Sequence, residues 1–176
     1  MSGFIGILNL DGAPVDRVLL ERMTRSLAFR GPDGQEIWHD ENVGLGHAMF
    51  RVDRESVNER QPFQSRARTW IVADARMDAR TELAEKLNAD PAGSHKVSLA
   101  TPDVEFVLAA YEQWGEACLE HLLGDFSFAI WDARNRRLFC ARDPLGIRPF
   151  YYSRIGNTLV FSNTLRVLFL YPGITS

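Results

Sequence analysis

Apolar positions change their spacing along this chain, and each change marks an element. FIGILNL at 4–10 is short, apolar and β-branched and runs into Asp11-Gly12, the pattern of a buried strand ending in a turn. Over residues 14–28 the apolar positions Val15, Val18, Leu19, Met23 and Leu27 recur at helical spacing, which predicts an amphipathic helix with Pro14 at its start. RGPDG at 30–34 interrupts that period. EIWHD and VGLGHAMFRV follow as two strands about a polar turn at 40–42, and a charged loop over 53–60 leads into TWIVADA, a further buried strand. Residues 78–87 are rich in helix formers, and ADPAGSHKVSLATP at 89–102 reads as loop. Val104, Val107, Leu108 and Tyr111 then share one helical face behind a cap at Thr101 or Asp103, and CLEHLL continues helical. FSFAIWD and RRLFCARD form a hairpin about 133–135, PFYYSR and TLVFSN form another about 155–157, and a short helix at 165–170 closes the chain.

Strands thus come mostly in adjacent antiparallel pairs with helices grouped between them. That arrangement predicts an α+β fold with helices layered on sheets, as opposed to a parallel βαβ architecture. A length of 176 residues suits one domain over 1–176, and 45% hydrophobic against 24% charged residues supports a core without staples or metals. A formal net charge of -3 gives no general attraction to nucleic acid or to an anionic membrane, so neither is expected as a partner. Cys118 and Cys140 sit inside apolar stretches and read as buried free thiols of a reducing compartment, and nothing in the chain approaches the roughly 20 apolar residues that span a bilayer. A cytoplasmic protein is the expectation. His39, His47, His95 and His121 lack metal-ligand spacing, and no phosphate-cradling glycine motif occurs, so no metal and no cofactor is expected.

Read in order, MSGFIGILNLDG, RGPDG, GLGH, QPF at Gln61, DVEFVLAAYEQWG, GDFSFAIWD and ARDPLGIRPFYY resemble the glutamine amidotransferase domain at the N-terminus of asparagine synthetases. The likeness covers essentially the whole chain. It implies the N-terminal-nucleophile hydrolase architecture, a four-layer αββα sandwich with two antiparallel sheets. In active members the residue exposed by removal of the initiator Met is a Cys that attacks the glutamine side-chain amide and releases ammonia through a thioester. The free α-amine, with a reference pKa of about 7.7 to 8.0, serves as the base.

On that pattern, several functional positions of this chain are altered. Ser2 stands at the nucleophile, and an alcohol must lose its proton during attack where a thiol is already partly ionised. Met49 stands where the family has the Arg that clamps the glutamine carboxylate, and a thioether offers neither charge nor donors. Asp74 and Ala75 stand at the Asn-Gly pair of the oxyanion hole; an ionised Asp cannot donate a hydrogen bond, while Ala75 still offers its N–H. Arg76 replaces a Glu of the pocket wall, and Asp103 keeps the acid that binds the substrate amino group. The plainer readings remain open: Met49 as core, Asp74 as a strand-end polar residue, Asp103 as a helix cap. RGPDG and ARDPLGIRP read as turn and packing determinants.

The resemblance therefore implies a degenerate domain that does not handle glutamine and instead scaffolds an ATP-dependent synthetase domain or subunit, in cis or in trans. It is similar in this to the corresponding domains of β-lactam synthetases and some lasso-peptide cyclases, where an internal amine makes ammonia unnecessary. No S-G-G-x-D-[ST] loop occurs within the 176 residues, so ATP binding is not expected of this chain, which is either a domain of a longer protein or a stand-alone form. The competing expectation is an active N-terminal-serine amidohydrolase: Ser2 Oγ as nucleophile, its α-amine as base, Ala75 N–H at the oxyanion and Asp103 on a substrate amine.

Overall fold

The computed structural model describes residues 1–52, 59–89 and 96–175; of the loops expected over 53–60 and 89–102, residues 53–58 and 90–95 lie outside the described residues. Among the described residues nine strands form two antiparallel sheets. The first has the order β2-β3-β1-β9-β8, from β1 (Gly3–Asn9), β2 (Gly34–Asp40), β3 (Val43–Met49), β8 (Tyr151–Ile155) and β9 (Thr158–Ser162). The second has the order β4-β5-β6-β7, from β4 (Phe63–Gln64), β5 (Thr69–Met77), β6 (Gly124–Asp132) and β7 (Arg137–Arg142). FIGILNL becomes the central strand of the first sheet, paired with β3 on one side and β9 on the other, which is why all seven residues of β1 are buried.

Three separate apolar clusters establish four layers. Phe4, Leu45, Val72, Ala129, Trp131 and Phe161 pack between the two sheets. Ile5, Ile7 and Val160 point the other way, onto α1 (Arg17–Arg25) and α4 (Leu165–Leu168). Ile71, Ala73, Phe126 and Phe128 face α2 (Arg80–Ala89) and α3 (Asp103–Trp114) across the second sheet. The period of two along each strand sends alternate residues to opposite cores. Helix, sheet, sheet, helix is the αββα order that the family resemblance implies.

The helices depart from their expected limits for local reasons. α1 begins at Arg17, three residues after Pro14, because Asp16 is its cap: the Asp16 carboxylate accepts the Leu19 N–H at 3.0 Å. Pro14 instead lies ahead of the helix, where its carbonyl, with that of Ala13, is taken by the Asn9 side-chain amide. α3 has Pro102 at its cap position with no side-chain bond, so neither candidate caps it; Thr101 bonds to the Ser98 N–H, and Asp103 turns away into the site described below. CLEHLL does not extend α3. Gly115 sits at φ 61, a conformation open to glycine, and the chain tightens into a short helical stretch, Gly115–Glu120, before β6. Among the described residues no helix is long and apolar enough to cross a membrane.

Candidate functional site

Ser2 immediately precedes the first rung of β1, where Gly3 pairs with Ala48. It is buried, and its backbone is splinted. Asn163 donates from Nδ2 to the Ser2 carbonyl at 2.9 Å and accepts the Phe4 N–H at Oδ1 at 3.0 Å, so one side chain fixes both ends of the Gly3 peptide. The Ser2 Oγ accepts the Phe50 N–H at 3.1 Å. Neither Asn163 nor Phe50 stood out in the sequence, since both contacts join segments far apart in the chain.

Asp74 comes to the same point from the other sheet. On β5, Val72 points between the sheets and Ala73 points out to α3, so Asp74, two residues beyond Val72, projects into the inter-sheet layer. Its Oδ2 lies 3.5 Å from Arg30 Nη2 and 3.5 Å from Arg148 Nη1. Burial raises the carboxyl above its ordinary pKa, countered in part by Arg148, Arg30, the terminal amine and the Ser2 N–H. The Met1 amine is lowered by burial and raised by Asp74.

RGPDG and ARDPLGIRP each supply one of these arginines, a role beyond the turn and packing reading. Gly31 packs so closely on β3 that a Cβ there would collide with the Ala48 backbone, and this contact seats Arg30, whose Nε also reaches the Ser2 carbonyl at 3.3 Å. The second loop is built on Asp143: its carboxylate accepts the Ile147 and Arg148 N–H groups, both at 2.9 Å, and these bonds hold it below the usual carboxylate range against the opposing effect of burial. Arg148 is thereby held toward Asp74.

Ser2, Asp74, Ala75, Arg76 and Asp103 line one cavity of about 580 Å³, together with Arg80, Glu59 and Arg148. Met49 does not. It is buried and borders a separate void of about 20 Å³ beside His47 and Gln61. Asp103 accepts the Met77 N–H at Oδ2 and pairs with Arg80 Nη1 at 3.1 Å; Arg80 in turn donates to the Leu99 and Thr101 carbonyls and stacks over the Phe106 ring. The acid expected to take a substrate amine is therefore engaged by protein groups. Arg76 is exposed on the cavity wall, and Ala75 is half-buried.

β4 pairs only with Trp70 and Ile71, so the ladder on that side of β5 stops short of the site. Gln61 replaces the missing rung. Its Oε1 accepts the Ala73 N–H at 2.6 Å and its Nε2 donates to the Ala73 carbonyl at 3.2 Å. The same carbonyl lies 3.1 Å from His47 Nε2, and since a carbonyl only accepts, His47 is the Nε2–H tautomer. Full burial lowers its pKa to about 4, and its Nδ1 has no partner among the described residues. Gln61 and His47 were legible as motif letters, but not as a brace on Asp74's neighbour. No group of three or more His, Cys, Asp or Glu side chains among the described residues is arranged to hold a metal ion.

The family profile described as glutamine amidotransferase domain matches residues 1–176. Asparagine synthetase (glutamine-hydrolyzing) 3 of Bacillus subtilis is 32% identical over 161 residues, which cover 90% of this chain and 26% of that protein. Asparagine synthetase (glutamine-hydrolyzing) 1 of the same organism is 33% identical over 173 residues, covering 96% and 26%. The chain spans about a quarter of the length of these relatives. Among solved structures, the glutamine phosphoribosylpyrophosphate amidotransferase of Bacillus subtilis superposes with a TM-score of 0.74 at 17% identity, over 96% of this chain and 43% of that one, a likeness of fold. The αββα layering, the profile match over 1–176 and the two synthetase relatives agree: the chain belongs to the glutamine amidotransferase domain family, as found in asparagine synthetase-like proteins.

Proposed function

We propose that this domain has lost glutamine hydrolysis and serves as a single scaffolding domain for an ATP-dependent, amide-forming synthetase half, in cis or in trans, in the cytoplasm. The observation that carries the reading is the buried Asp74 carboxyl sharing one cavity with Ser2. Removal of Met1 would turn the Ser2 nitrogen into the α-amine that must act as base, and a carboxylate in the same cavity favours its protonated form. The same carboxylate occupies the oxyanion position, where negative charge opposes the transition state and where loss of one donor alone costs about a hundredfold to a thousandfold in rate. Met49 lacks the charge to grip a carboxylate, and Asp103 is already paired with Arg80. With the packing around this pocket intact, relaxed demand for ammonia explains the pattern, as in the β-lactam synthetase and lasso-peptide cyclase relatives that use an internal amine.

The test is ammonia release from glutamine by the parent, by Ser2→Cys and by the combined Ser2→Cys/Met49→Arg/Asp74→Asn variant. A silent parent and a gain of activity in the combined variant support lost pocket chemistry on a kept fold. The second reading, an active N-terminal serine amidohydrolase, is favoured by Ser2 lining a cavity with room for an amide substrate beside Ala75. Turnover by the parent that Ser2→Ala abolishes would establish it instead.

A further inference from the structure

We propose that the Ser2 cavity binds a small carboxylate that carries no ammonium group, and that Arg76 holds it. The cavity measures about 580 Å³, within the span of about 300–1,000 Å³ typical of small-molecule sites, and Phe50, Val52 and Met77 give it apolar wall. Its charges decide what can enter. At the Ser2 end one carboxylate, Asp74, faces the guanidinium groups of Arg30 and Arg148, each at 3.5 Å, and the terminal amine acts on it as well, so positive charge exceeds negative there. Along the wall, Asp103 is matched by Arg80 at 3.1 Å and by the Met77 N–H.

Arg76 differs from these arginines. It is exposed on the cavity wall and forms no ion pair among the described residues; Asp125, opposite it in the β5–β6 ladder, does not line the cavity. A guanidinium offers a planar fork of donors that fits a carboxylate bidentately. Two further acids line the cavity, and neither makes an ammonium site. Glu59 already accepts the Gln61 amide at 2.6 Å, and a cation that reaches the exposed Asp78 also meets Arg76 two residues away, a like-charge contact that opposes binding. A free amino acid therefore gains at its carboxylate and loses at its ammonium. A short-chain acid whose nitrogen is acylated or absent keeps the gain without the loss. The inference rests on the reading above in one respect: a pocket that no longer turns over glutamine can hold such an acid as a ligand that does not react.

The test is calorimetric titration of the protein at its native length with three probes that differ at their ends: N-acetyl-L-glutamine, L-glutamine, and 4-aminobutanamide, which keeps the ammonium but lacks the carboxylate. N-acetylglutamine is expected to bind at least about fivefold more tightly than glutamine, and 4-aminobutanamide not to bind. Arg76→Glu is expected to weaken N-acetylglutamine at least about tenfold, Arg76→Lys to retain most of the affinity, and Arg134→Glu, outside the cavity lining, to change nothing. No binding of N-acetylglutamine, tighter binding of glutamine, or an affinity indifferent to Arg76→Glu would each overturn the inference. Ammonia release is a separate readout. Turnover of glutamine by the parent would sink the reading above with acid binding intact, and a silent parent that binds no acid would sink this inference alone.

Discussion

Arg148 Nη1 and Asp74 Oδ2 stand 3.5 Å apart with side chains only 13% and 6% exposed, and Arg30 meets the same oxygen from the opposite segment at the same distance. Two guanidinium groups at that separation do not fully offset the burial of the carboxylate, whose pKa stays above its ordinary value. Linkage fixes the sign. A carboxyl whose folded pKa is raised stabilises the fold at low pH, where it is protonated, and that contribution is lost as pH rises through the folded value. Asp74→Asn, measured with Met1 retained, should therefore raise the urea midpoint at neutral pH, with the gain shrinking as pH falls into the carboxyl range. A lowered midpoint at neutral pH would mean that the arginine contacts outweigh burial.

The terminal amine should report the same carboxylate. Asp74 raises the Met1 amine against the lowering by burial, and after Met1 removal the charged nitrogen is that of Ser2, which lines the same cavity as Asp74. In the processed chain, Asp74→Asn should lower the Ser2 α-amine pKa by about a unit or more, the shift expected when an opposite charge within about 4–6 Å is removed. Nitrogen NMR titration of the N-terminal residue reads this directly, and equal titration in both proteins would remove Asp74 from the account.

Much of this architecture was legible in the sequence because strand alternation is a local signal: FSFAIWD, TWIVADA and FIGILNL lie where their apolar spacing placed them. The site was legible in part. Ser2, Asp74, Ala75, Arg76 and Asp103 meet at one cavity, whereas Met49 borders another. What stayed hidden depends on partners distant in sequence. No periodicity reveals that Arg30 and Arg148 share one oxygen of Asp74, or that the Gln61 amide stands in for a missing rung of β4. Pro14 misled for the converse reason, since an Asp two residues later offers a capping oxygen that proline lacks.

His47 should make the fold acid-sensitive. Its pKa falls from 6.5 in the unfolded chain to about 4 when buried, so the unfolded state binds the extra proton between those values and stability drops as pH falls from 6.5 towards 4. The span corresponds to roughly 3 kcal/mol. Urea unfolding across that window should show the loss in the parent and a flatter profile in His47→Gln, whose amide can still donate to Ala73; parallel profiles would contradict a buried neutral imidazole.

Gln61→Ala should cost about 1–3 kcal/mol, because the Ala73 N–H loses its Gln61 acceptor, the one it has among the described residues, and becomes a buried unsatisfied donor. Hydrogen exchange at the Ala73 amide should accelerate well beyond the change at Ile71, which keeps its β4 partner Phe63. Equal acceleration at both amides would point to general loosening without a specific brace.

Ammonia release from glutamine by the parent chain, with Met1 removal verified by mass and Ser2→Ala as the blank, tests the central claim most directly. The expected result is a rate indistinguishable from that of Ser2→Ala at every pH from neutral to mildly alkaline. Saturable turnover that Ser2→Ala abolishes would contradict it and make Ser2 a working nucleophile beside a carboxylate that does not silence it.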